Sequence, residues 1–243
     1  MSKHGPFRFA ANILVEDTDL LVLAKPAGIS TLAERTGNEP NLLDLGRAYC
    51  PSLQVCHRLD KQTTGALLFA KTPDAYRALT QQFEKRVVVK VYWALLNGHP
   101  PVGDGVAITA PLAVNPKGIV RADFKTGKPA ETRFRLEATY PTVTLVAAKP
   151  ITGRSHQIRV HAAFMGHPLV GDTLYGGTDL KLSDFKKGYK GDRYDEAPLN
   201  HGFLLHATSL TFHHPSTGAE MTAEAPLPDH FAAVLKVLAK WST

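Results

Sequence analysis

The stretch His57-Arg58-Leu59-Asp60-Lys61-Gln62-Thr63-Thr64-Gly65 runs directly into the apolar run Ala66–Ala70. Five apolar residues behind a polar turn read as a short buried strand. Asp60 therefore sits on a loop that leads into a core strand. A side chain in that place is held from one side by the core, and rigid placement is what a catalytic group needs. The residue types alone equally allow a plain surface loop carrying a solvated aspartate.

The surrounding chain gives this strand its partners. Upstream, Leu20–Leu23 is a second β-type run, ended by the turn residues Lys25-Pro26-Ala27-Gly28, and Asn41–Tyr49 has helical spacing. Downstream, Pro73–Lys85 reads as a helix with Thr72 as N-cap and Pro73 at its first position. Val87–Leu96, rich in valines and aromatics, is a strand, and the Gly- and Pro-rich stretch Pro100–Thr126 suits short hairpins. Ala130–Ala138 alternates, with Thr132, Phe134 and Leu136 on one face and Arg133 and Arg135 on the other. Thr142–Lys149 is a strand, and Gln157–Met165 is a helix stopped by Gly166. Thr178–Pro198 is polar and without apolar period, so it reads as a long, mobile surface loop. Leu204–Phe212 and Ala219–Ala225 return to strand character. Pro228–Trp241 closes the chain as a helix with Phe231, Val234, Leu235 and Leu238 at helical spacing. No internal repeat or linker interrupts the pattern. The expectation is an α+β fold in one domain spanning residues 1–243, a mixed, largely antiparallel sheet flanked by helices.

Composition narrows the class. With 243 residues and 44% hydrophobic residues, the chain has the makings of an ordinary globular core. The net charge of +6 suits a polyanionic partner without requiring one. Cys50 and Cys56 are too few for a disulfide framework and lack zinc-site spacing, so they read as reduced thiols. The first residues lack the apolar core of a signal peptide, and no apolar run is long enough to cross a bilayer. These features predict a soluble cytoplasmic protein.

A second dense segment is Thr152-Gly153-Arg154-Ser155-His156-Gln157-Ile158-Arg159-Val160-His161, with His167 close behind. Three nearby histidines invite a metal reading. A metal site would also want a carboxylate or cysteine and i, i+4 pairing, whereas His156 and His161 are five residues apart and point to different sides of a helix. His156 reads better as a hydrogen-bonded scaffold residue, and no metal is expected.

Taken in order, the segments resemble the RluA family of pseudouridine synthases. HRLDKQTTGALLFAKT (residues 57–72) is similar to that family's HRLD signature and following strand. VLAKPAGI (22–29), VVKVYWALLNG (88–98), TGRSHQIRVHAAFMGHPLVGDTLYG (152–176) and LLHATSLTFHHPSTG (204–218) stand in the family's order. Thr64 stands where the family usually has serine, which keeps the hydroxyl. The pattern begins almost at residue 12, which leaves no room before it for the S4 RNA-binding module that many members carry.

The resemblance implies the pseudouridine synthase fold and isomerisation of specific uridines in structured rRNA, tRNA or both. It implies that Asp60 is the catalytic carboxylate, that Arg159 pairs with it, and that Tyr92 lies against the target uracil. It further implies that Arg58 aids base flipping and phosphate binding, that Leu205 shapes the uracil pocket, and that Lys25 lies near the RNA path. The reaction needs no cofactor, and RNA is the expected partner, with no membrane and no obligate protein partner evident. Two rivals belong to other classes. A non-catalytic RNA-binding protein on this scaffold would be expected to have lost Asp60, Tyr92 or Arg159. A glycosidase-type hydrolase would want a second carboxylate near Asp60, and the matched motifs supply none.

Overall fold

Thr64–Ala70, the strand expected behind the Asp60 loop, is buried at every residue. In the computed structural model, residues 7–34, 39–192 and 194–241 are described. The strands are β1 (Ile13–Glu16), β2 (Leu20–Lys25), β3 (Gln54–Val55), β4 (Thr64–Ala70), β5 (Val89–Asn97) and β6 (Val106–Ile108). They continue with β7 (Leu112–Val114), β8 (Val120–Ala122), β9 (Thr132–Thr139), β10 (Val143–Pro150), β11 (Leu205–His213) and β12 (Glu220–Glu224). The helices are α1 (Leu42–Tyr49), α2 (Pro73–Glu84), α3 (Gln157–Phe164) and α4 (Asp229–Lys240). The α+β class and its largely antiparallel sheet are as expected, and the pairings given below are antiparallel.

Two compact units divide the chain. The first is Met1–Lys90 with Ala207–Pro226, and the second is Val91–His206 with Leu227–Thr243. In the first, the strand order is β1-β2-β4-β11, with β3 on β4 and β12 on β11. β2 and β4 pair from Leu20–Ala70 to Lys25–Gly65. The core formed by Leu20, Val22, Ala66, Leu68, Leu210 and Phe212 takes Ala75 and Leu79 from α2. α2 begins where its caps demand: the Thr72 side chain accepts from the Ala75 amide, with proline in the first turn. Asn41 caps α1 in the same way through the Asp44 amide. Gly65, with φ +113°, sits so close to β11 that a Cβ would overlap the Ala207 backbone. Glycine is therefore required at the point where the catalytic-type loop enters the sheet.

In the second unit the order is β5-β10-β9-β6, with β7 and β8 as a separate hairpin. Its core joins Leu95, Val143, Leu145 and Val170 to Phe231, Val234 and Leu238 of α4. One expectation fails here and another needs completing, each for a physical reason. Leu136 is exposed rather than sharing the covered face with Thr132 and Phe134. The ladder slips at that point: Leu136 pairs Val146 while Ala138 pairs Leu145, so Glu137 is the extra residue of a bulge and the alternation breaks. Thr178–Pro198 is largely irregular and lies at the surface, as expected, but it is not free of the core. Leu180 and Phe185 are buried in this core, and the Lys186 ammonium lies 4.7 Å from the Trp241 ring centre. Residue 193 of that stretch lies outside the described residues.

Candidate active site

In the first unit, hydrogen bonds from distant parts of the chain fix the loop that carries Asp60. Leu59 is buried, and Thr31 serves both of its backbone groups: its hydroxyl donates to the Leu59 carbonyl at 2.9 Å, and its oxygen accepts from the Leu59 amide at 3.2 Å. After Asp60 the chain turns, with the Thr63 amide donating to the Asp60 carbonyl at 3.0 Å. The Gly28 amide donates to the Lys61 carbonyl at 2.9 Å. His57 Nε2 accepts from the Leu68 amide at 3.0 Å, and its ring stacks on Phe83 with centroids 4.8 Å apart. Burial pushes the His57 imidazole down to about 3, with Lys90 adding to the shift, so the ring stays neutral and works as an acceptor. The first letter of the HRLD motif is thus a structural histidine.

Lys25, the last residue of β2, reaches into the same loop. It is only 2% exposed, and its ammonium donates to the carbonyls of Pro26, Lys61 and Thr63 at 2.8, 2.8 and 2.9 Å. Three donors meet three acceptors, so the end of β2 is pinned to the loop around Asp60. Burial lowers the Lys25 pKa to about 7, and the negative charge of Asp60 opposes that shift. A lysine so enclosed cannot reach a phosphate; it positions the loop. Lys25→Met fills the same slot but leaves three carbonyls unpaired. At roughly 1 kcal/mol for each orphaned group, the loss is about 3 kcal/mol, or ~6–12 °C in melting temperature for a chain of this size. Turnover should fall at least about tenfold; unchanged melting and rate would show that the three bonds are dispensable.

Arg58 is exposed, and no ion pair joins it to another described residue. It lies two residues before Asp60 in the chain.

The second unit holds Tyr92, Arg159 and Leu205. Tyr92 is buried in β5 opposite Ala148 of β10. Leu205 is buried at the start of β11. Arg159 lies in the first turn of α3, and the motif before it builds that turn. Gln157 accepts from the Thr152 hydroxyl at 2.6 Å and the Arg154 amide at 3.0 Å, and donates to the Glu131 carbonyl at 2.8 Å and the Thr132 hydroxyl at 2.9 Å. His156 takes a left-handed backbone, φ 53°, and its Nδ1 is 2.7 Å from the Tyr175 hydroxyl. The guanidinium of Arg159 is then clamped on Asp172, Nε to Oδ2 at 2.7 Å and Nη2 to Oδ1 at 2.8 Å. Its carbon lies 4.9 Å from the Tyr175 ring centre and 4.4 Å from that of Phe203. Charge and plane are both fixed by this arrangement.

Asp172, Tyr175 and Phe203, which hold the Arg159 guanidinium, were not singled out in the sequence. Asp172 and Tyr175 stand in the GDTLYG segment, where an aspartate between two glycine turns was the only signal. The other two histidines are engaged: His161 bonds Thr132 Oγ1 and the Ala110 carbonyl, both at 2.9 Å, and His167 Nδ1 lies 2.9 Å from the Asn97 carbonyl.

The chain is similar to known proteins. Residues 19–164 match the family model described as RNA pseudouridylate synthase. The chain is 41% identical over 236 residues to a ribosomal large subunit pseudouridine synthase C of Haemophilus ducreyi, covering 93% of this chain and 69% of the relative. It is 39% identical to one from Yersinia pestis, over 95% of this chain and 70% of the relative. Among solved structures, human RNA pseudouridylate synthase domain containing 4 superposes with a TM-score of 0.74 at 26% identity, covering 95% of this chain and 94% of the human one. The human domain containing 1 protein gives 0.68 at 29% identity, over 91% and 86%. Both the sequence match and the shared architecture place this chain in the RNA pseudouridylate synthase family, among the isomerases of the RluA type that act on RNA.

Proposed function

We propose that the chain converts uridines of large-subunit ribosomal RNA to pseudouridine, in the cytoplasm, with Asp60 as the reacting carboxylate. The observation that carries this reading is the seating of Asp60: a half-buried carboxylate on a loop whose neighbours are pinned by Thr31, Gly28 and Lys25. Such pinning is wasted on a solvated surface aspartate and suits a group that must meet a substrate in one geometry. The ribosomal target is argued from the names of the relatives, which act on the large subunit.

The chemistry is atom-neutral. The N1–C1′ bond breaks, the uracil turns, C5 joins C1′, the C5 proton leaves and N1 gains one. Asp60 can serve by attack at C1′, by attack at C6, or by taking the C2′ proton; each route uses one ionised carboxylate and gives one product. Arg159 is proposed to hold that carboxylate charged. In support, Asp172 and the two rings fix the charge and the plane of the guanidinium, and a planar fork so held suits a carboxylate. Tyr92 offers a stacking face and a hydroxyl for the proton that leaves C5. Leu205 contributes an apolar wall to the uracil pocket.

Arg58 is proposed to help extrude the target from its helix, a step costing a few kcal/mol. Arg58→Ala should lower the single-turnover rate on folded RNA more than on an RNA whose target is already unstacked. An equal loss on both would remove the flipping role.

The target is tested by mapping pseudouridines chemically in total RNA from a deletion strain. The expected result is one or a few sites lost from large-subunit rRNA and restored by the wild-type gene. Loss confined to tRNA would overturn the ribosomal assignment. Free uracil as the product of the purified enzyme would overturn the isomerase reading itself.

A further inference from the structure

Phe124 and Phe164 are the feature that the site above does not use. Phe124 is 71% exposed and Phe164 is 51% exposed, yet their rings face one another with centroids 6.0 Å apart and planes tilted by 47°. Single exposed apolar residues are ordinary; two exposed phenylalanines packed together call for a reason.

Neither ring is on a loose tether. Leu112 of β7 and Val120 of β8 pack with Val160 of α3 in one buried cluster, so the hairpin is fastened to the helix that ends in Phe164. Just after β8, Asp123 closes a tight turn. Its Oδ1 accepts from the Lys125 and Thr126 amides at 2.9 and 3.0 Å, and its carbonyl accepts from the Gly127 amide at 2.9 Å. The Lys128 amide returns to the Leu112 carbonyl at 2.8 Å. Phe124 is thereby held outward by a rigid turn.

The charge around it is mostly of one sign. Between residues 111 and 130 stand Lys117, Arg121, Lys125 and Lys128, all exposed, against the single carboxylate Asp123. Asp123 offsets Arg121 across 3.7 Å, which leaves the three lysines in excess. Aromatic faces set among exposed cations fit unpaired nucleotides, which stack their bases and bring a phosphate each. A protein partner fits less well. The two rings offer on the order of 250 Å², far short of the ~800 Å² per side that stable protein interfaces bury.

We propose that Phe124 and Phe164, with Lys117, Arg121, Lys125 and Lys128, form a second RNA-binding surface that stacks unpaired bases of the substrate outside the target nucleotide. The surface rests on the reading of the chain as an enzyme of structured RNA. Phe164 lies five residues beyond Arg159 on α3, which turns it about 140° away around the helix. The surface is thus separate from the buried Arg159 clamp and acts on substrate affinity rather than on the chemical step.

The test uses the intact chain and a large-subunit rRNA fragment. The Phe124→Ala/Phe164→Ala double variant should bind the fragment about 5- to 150-fold more weakly for each base that stacks. It should raise KM while kcat at saturating RNA is kept. In Phe124→Trp, the added indole should be quenched by RNA beyond the signal of the native tryptophans. Lys125→Gln/Lys128→Gln should lower the salt slope of binding by about 0.7–0.9 for each phosphate no longer neutralised. Wild-type affinity in the double variant, or an indole blind to RNA, overturns the proposal, as does a change in self-association in place of RNA affinity. Affinity is read without turnover, so an inactive wild-type enzyme would count against the isomerase reading alone.

Discussion

Asp60→Ala is expected to abolish pseudouridine formation, lowering turnover by more than about 10⁴-fold, the scale on which enzymes lose rate when the reacting group is removed. The fold should survive. The hydrogen bonds that shape the loop run through the backbone of Leu59, Asp60 and Lys61 and through Thr31 and Lys25, not through the Asp60 carboxylate alone. Melting should therefore change little, and RNA affinity should stay near that of the wild type. Asp60→Asn is the sharper control, because it keeps the shape and removes only the charge. It also removes the influence that opposes the lowering of the Lys25 pKa, so the buried amine should lose its proton more readily. Release of tritium from RNA labelled at uracil C5 measures the reaction. Measurable turnover by either folded variant would sink the assignment.

Arg159→Ala should damage both stability and rate. Asp172 is 1% exposed, and its partner is this guanidinium. Removing one member of a buried pair strands the other, at a cost of roughly 3–5 kcal/mol, or about 6–20 °C in melting temperature. Assays must accordingly be run well below the variant's midpoint. There the rate should still fall by about 10²–10³-fold while RNA affinity moves far less, since the proposed work of Arg159 is to orient Asp60. Arg159→Lys should rescue little. It restores the charge but not the planar fork that meets Asp172 with two bonds and packs against two rings. Asp172→Asn should reproduce part of the rate loss by letting the guanidinium drift. A folded Arg159→Ala enzyme with a near-normal rate would show that the proposed pairing with Asp60 is wrong.

The parts of the fold that were legible in the sequence are those governed by local rules. The apolar runs at Leu20 and Ala66 became paired core strands, and the cap Thr72 fixed the start of α2, while Asn41, read as the first helical residue, proved to be the cap of α1. Non-local causes were hidden. The bulge at Glu137 exists only as a slip between two strands, so the alternation put Leu136 on the wrong face. Leu180 and Phe185 are sparse apolar residues without a period, yet each fills a place in the core. The candidate site divides in the same way. Asp60 and Arg159 were picked out through the family's motifs, whereas Asp172 lay thirteen residues from its partner with no periodic element to connect them. The burial of Lys25 was not legible, because a lysine in a turn is normally hydrated; the carbonyls of Pro26, Lys61 and Thr63 account for it.

The bonds of Lys25 reach residues 36 and 38 positions away in sequence, and those of Thr31 reach 28. Neither span can close until β2 has found β4. The Asp60 loop thus keeps one local turn bond, from the Thr63 amide to the Asp60 carbonyl, and takes the rest of its fixing from partners that the sheet brings to it. The Leu59 amide, bonded to Thr31 across 28 residues, is expected to exchange with the amides of the buried strand, opening when the sheet opens. A chain caught part-way through folding, with the strands unpaired, would carry the HRLD sequence but no organised carboxylate to offer an RNA.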